Sequence, residues 1–191
     1  MAKKVAKAND PRFEVLRMLT PEQKDKLLLK LFRKDPLLVE KLAFEFFEDK
    51  SDLTQRVSVL KDNINQNISP NRLPWNTPGE LMMLMRTMNG RITEHVKITK
   101  DKYGEVELTL FLLNTAFERF LPMLNDKRQR SEKFCEYVLK RTEILCKNLN
   151  KLHEDNYLDF KDDLTKLLKF LNGYSPTMYR MKEFDIPKMD F

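Results

Sequence analysis

Two histidines, two cysteines and one run of carboxylates are the residues of this 191-residue chain best suited to chemistry. His95 and His153 would serve as metal ligands if carboxylates stood at the right helical spacing. A carboxylate-bridged di-iron bundle wants a glutamate three residues before each histidine, and those positions hold Ile92 and Asn150. Cys135 and Cys146 stand eleven apart in one helical stretch, which is about 16 Å at about 1.5 Å per residue. A disulfide spans no more than about 7 Å between Cα atoms, so both are expected as free thiols, suited to a reducing compartment. Neither has a neighbouring His or lysine-rich turn to lower its pKa. The acidic set is Glu154, Asp155, Asp159, Asp162 and Asp163, of which 155, 159 and 162 share a helix face. Such a face could hold a hard divalent cation. Acids at a helix start also complement its macrodipole, and that is the expected role.

Four glycines are too few for a phosphate cradle: Gly90, Gly104 and Gly173 fall where helices or turns should end, so P-loop and Rossmann patterns are absent. No serine lies in a nucleophile elbow. No catalytic residue, cofactor or metal site is therefore expected, and the reading leans toward a non-enzymatic chain, with an enzyme site assembled from scattered residues as a further alternative.

Charge and apolar patterning point to binding. The net charge of +6 resides in residues 1–34, where ten Lys/Arg face four Asp/Glu. Lys3, Lys4, Lys7 and Arg12 form a basic arm of the kind that touches nucleic acid or an anionic surface, or simply keeps a protein soluble. A second basic feature lies in residues 127–152, with eight Lys/Arg against three Glu. Lys133, Lys140, Lys147 and Lys151 recur on one stripe, with Arg130 beside it and Tyr137 within it. A basic stripe with an interleaved aromatic is the form of a phosphate-backbone contact; it is also the ordinary solvent face of a helix. A third feature is "SPNRLPWNTPGELMMLMRTMNG", residues 69–90. Trp75, Met82 and Met83 are its candidate partner contacts, because methionine surfaces adapt to partner helices. The alternative is that the methionines are core and Trp75 pins a seam between two helical regions.

The elements that must carry these residues are helices. Four starts share one idiom, a capping residue followed by proline: Asp10-Pro11, Thr20-Pro21, Asp35-Pro36 and Thr77-Pro78. Thr20 with Gln23 and Thr77 with Glu80 complete capping boxes. Helices follow near 11–18, 21–33, 36–48 and 52–67, then from 78 to about 89 with Gly90 as its cap. Residues 92–109 fit two templates. Val106, Leu108 and Leu110 alternate with polar residues at the strand period, while Val106, Leu110, Leu113 and Phe117 keep helical spacing. Helices near 110–121, 128–151 and 155–172 complete the bundle, with Pro122 kinking or ending the first. The aromatic and Met-rich tail, 174–191, is expected to pack back on it.

The expected fold is mainly α, a multi-helix array or bundle with a single β-hairpin near 92–109 as an option. Its parts are a flexible arm (1–10), an N-terminal array (11–68), a Pro/Trp connection (69–77), a C-terminal bundle (78–173) and the tail, expected to form one compact unit overall. With no run of about 18 apolar residues and no apolar leader, a cytoplasmic chain that does not enter a membrane is expected. The functional expectation is a helical protein-interaction or scaffold module, with nucleic-acid binding through the arm and the stripe as the alternative.

Overall fold

The computed structural model describes residues 11–74, 76–126 and 128–186. Among them are nine α-helices and two single-turn 3₁₀ segments, with no strand. The chain divides between Phe47 and Glu48 into two compact units.

The first unit contains α1 (Pro11–Met18), α2 (Pro21–Lys34) and α3 (Pro36–Phe47). Each begins at the proline that the sequence marks. At Thr20 the hydroxyl accepts from the Gln23 amide at 3.3 Å, and the Gln23 carboxamide accepts from the Thr20 amide at 2.9 Å. Asp35 serves two helices. Its amide donates to Leu31 O at 2.9 Å, closing α2, while its carboxylate accepts from the Leu38 amide at 3.1 Å, opening α3. One-residue connections of this kind fold the helices back on one another, and α3 packs on α2. No residue of α2 or α3 is buried.

The second unit holds α4 (Lys50–Asn67), α5 (Pro78–Thr99), α6 (Lys102–Leu124), α7 (Glu132–Leu149), α8 (Glu154–Gly173) and α9 (Ser175–Arg180). Here α4 falls in the same unit as the later helices. Ile64 and Ile68 are buried, with Val57 and Leu60 against them, and α4 packs on α5 and α6. The last carbonyls of α4 are claimed by Arg119 of α6, whose guanidinium donates to Asn65 O at 2.6 Å and Ile68 O at 2.7 Å. Orphan carbonyls at a helix end need such donors. The 69–77 connection therefore lies within this unit rather than between two.

At the centre runs α6, flanked by α4, α5, α7 and α8. Phe117 is its fully buried midpoint, stacked on Phe170 at 5.7 Å and edge-on to Phe134 and Tyr174 at 6.1 and 6.3 Å. Ring pairs at these distances add to plain area burial.

The optional hairpin at 92–109 does not form; α5 and α6 occupy it, joined by Lys100 and Asp101 alone. Thr93 and Thr99, which suggest strand by composition, donate their hydroxyls to the carbonyls four residues back, Asn89 O and His95 O, both at 2.9 Å. Val106, Leu108 and Leu110 are all buried because α6 is surrounded. A helix packed on every side needs no polar face, so its sequence loses the 3.6-residue signature. Gly90 does not cap α5, which runs nine residues beyond it; Lys100, at φ 59°, supplies the left-handed turn instead. The tail packs on the bundle as far as it is described, with Tyr174, Thr177 and Ile186 buried. Among the described residues no helix is long and apolar enough to cross a membrane.

Candidate functional site

Trp75, Lys3, Lys4 and Lys7 lie outside the described residues, as does any seam pinned by the Trp75 ring. The methionine helix divides its two candidates. Met82 is buried in the core with Leu81, Met85 and Met88. Met83 points outward and is 57% exposed.

The basic stripe of α7 is partly neutralised along its own helix. Lys140 pairs with Glu136 at 2.5 Å and Lys147 with Glu143 at 2.7 Å, both four residues apart. Lys133, Lys151 and Arg130 are exposed. Tyr137 is half-buried rather than presented to solvent. Two guanidiniums cover its ring, Arg86 of α5 at 5.5 Å and Arg141 of α7 at 5.7 Å from the centroid. With its amide oriented to suit its neighbour, Asn89 accepts from Arg141 Nη2 at 3.1 Å.

Among the described residues no group of three or more His, Cys, Asp or Glu is arranged to hold a metal. The acids near the start of α8 have other partners: Asp155 faces His153 at 3.1 Å, and Asp159 accepts from the Tyr103 hydroxyl at 3.2 Å. Both thiols are buried. Burial pushes Cys135 upward and Cys146 to about 11, which removes the thiolate a nucleophile requires.

His95 is buried on α5, and its Nε2 stands 3.6 Å from Asp101 Oδ2, an ion-pair distance without a hydrogen bond. The Asp101 carboxylate caps α6, accepting from the Gly104 amide at 2.9 Å. His95 first, with that amide, holds its pKa below the ordinary value against the opposing pull of burial. Gly104 leaves the space: a Cβ there would meet Asp101 Oδ2 at 2.1 Å. On the other side of His95 opens a groove of about 510 Å³ between α4 and α5, lined by Arg56, Val59, Leu60, Arg91 and Ile98 among others. Its charges are largely matched, with Arg56 paired to Glu48 and Arg91 donating to Asn63 Oδ1 at 3.0 Å. The groove has neither a dominant charge nor an assembled set of reactive groups.

Comparison of the chain with protein-family models, curated proteins and solved structures finds no match in any of the three.

Exposed apolar side chains concentrate on the first unit. Nineteen large hydrophobic side chains are exposed among the described residues, and eleven of them fall between Phe13 and Phe47. Leu27, Leu28, Leu29 and Leu31 belong to α2; by helical spacing Leu28 and Leu31 lie away from Lys26, Lys30, Arg33 and Lys34, while Leu27 and Leu29 flank that basic side. On α3, Phe46 is 69% and Phe47 87% exposed. Single exposed hydrophobics need no explanation, whereas a concentration of them marks a contact surface. Residues 36–47 carry the signal that could have located it, since apolar residues fall on every side of that helix within a unit too small to enclose them.

Proposed function

We propose that this protein is a non-enzymatic helical interaction module whose contact surface is the apolar face of α1–α3. The supporting observation is the concentration of exposed apolar side chains between residues 13 and 47, in a unit where neither α2 nor α3 buries a residue. The unit spans residues 1–47, and so small a unit buries little of its surface alone and is marginal without association. A partner polypeptide that covers Leu27, Leu28, Phe46 and Phe47 would supply it. The protonated, buried thiols and the charge-matched groove favour a binding role over catalysis.

Pull-down from source lysate, with and without nuclease, tests this reading. Partners that survive nuclease, and that Leu28→Asp/Phe46→Asp loses, are the expected result. Both side chains are exposed, so these changes leave the bundle intact. Retention of every partner by the double variant would overturn the assignment of the surface.

A further inference from the structure

We infer a second, independent contact on the bundle: Arg86 and Arg141, which lean on Tyr137, and Lys133, one turn earlier on α7, receive the phosphate backbone of a nucleic acid. Two guanidiniums from different helices lean on one ring. Like charges brought together in this way repel one another, and the repulsion is relieved by a carboxylate or by an anion from outside. Among the described residues no carboxylate pairs with Arg86, Arg141 or Lys133. Glu105 lines the small cleft that also holds Arg141, and its carboxylate is already paired with Lys102 at 2.7 Å; Glu136, beside Tyr137 on α7, is paired with Lys140 at 2.5 Å. Asn89, the other neighbour, offers Arg141 a neutral acceptor only.

Guanidinium recognises phosphate in a bidentate manner, and its planar face can rest on an aromatic ring while its edge points outward. Tyr137 thus acts as a platform that orients two phosphate-binding forks. Its half-buried ring is covered by them and takes no base. Lys133, Tyr137 and Arg141 follow one another at four-residue steps along α7. Lys133 and Arg141 are thereby about 12 Å apart along the axis, enough to meet more than one phosphate of a single strand. A repeating polyanion fits this row better than an isolated phosphate does. Contacts of this kind read charge and spacing rather than base identity.

This site shares Lys133 and Tyr137 with the lysine stripe but not its middle lysines. Lys140 and Lys147 lie on the same helix but are engaged by Glu136 and Glu143, so they contribute little net attraction. The basic stripe and the arginine pair therefore make separable predictions.

The test is fluorescence anisotropy of a labelled oligothymidylate of about 20 nucleotides with the full chain, across about 50 to 200 mM salt. Wild-type binding should weaken with salt, and Arg86→Gln/Arg141→Gln should lower affinity at least about tenfold. That pair should also make the plot of log K against log salt shallower by about 1.4, at about 0.7 per phosphate on a single strand. Lys140→Gln/Lys147→Gln should stay within about twofold of wild type. If the glutamine pair lowers the melting temperature, Arg86→Glu alone carries the test, because Arg86 is exposed. Wild-type affinity in the arginine variants would overturn the inference. So would no binding at the lowest salt, an equal loss from the lysine pair, or equally effective competition by polyglutamate. The pull-down described above reads the apolar face of α1–α3, so either proposal can fail while the other stands.

Discussion

The two units use the same helix-starting chemistry and put it to opposite ends. In α1–α3, capping residues and prolines define helices whose apolar side chains remain exposed. In α4–α9, a comparable helix signal closes around Phe117, with thirteen residues of α6 alone buried. The difference shows that local capping and tertiary burial are separate decisions. A cap fixes where a helix starts at the scale of one hydrogen bond; only enough neighbouring helices can remove its apolar face from water.

The sharpest break in this comparison comes from equal truncations in the two units. Phe117→Ala should destabilise the bundle by about 3–5 kcal/mol, because it vacates the centre of four stacked or edge-on rings. Phe47→Ala should leave the stability of the isolated protein within about 0.5 kcal/mol of wild type. Urea unfolding followed by near-ultraviolet circular dichroism checks both. A comparable loss from Phe47→Ala would mean that its ring is covered in the free protein.

A smaller effect should follow at the start of α6, where a cap depends on its surroundings. Gly104→Ala places a methyl against the Asp101 carboxylate and displaces it from the Gly104 amide and His95. A cost of about 1–3 kcal/mol is expected for an overpacked, disrupted cap, measured by the same unfolding curves. The smallest effect has the opposite sign. Gly90→Ala introduces a methyl with nothing within 4 Å, in the interior of α5. It should stabilise the bundle by about 0.5–1 kcal/mol; a loss would place an unrecognised contact at that position.

Much of the architecture was legible in the sequence. Thr20, Asp35 and Thr77 cap the helices that their side chains and the following prolines announce. The face with Phe134, Val138 and Leu145 on α7 is buried, as its spacing implies. The candidate sites were less legible. Met82 and Met83 are adjacent and chemically identical, yet one is core and one is surface, because only the position of neighbouring helices distinguishes them. Tyr137 was recognisable as an aromatic among lysines. Arg86, the partner that gives it a role, lies 51 positions earlier in the chain, and no periodicity links residues that meet across two helices.

By itself, the sequence determined that this is a chain of capped, mostly amphipathic helices with free thiols and a basic N-terminal segment, residues 1–34, since each of these follows from side chains a few residues apart. Tertiary structure decided that residues 92–109 are helical, that Gly90 continues a helix, that α4 joins the bundle and that Lys140 is neutralised while Arg141 is not. Those outcomes turn on burial from several sides and on charges brought together from distant positions. Neither quantity is defined until the helices have packed.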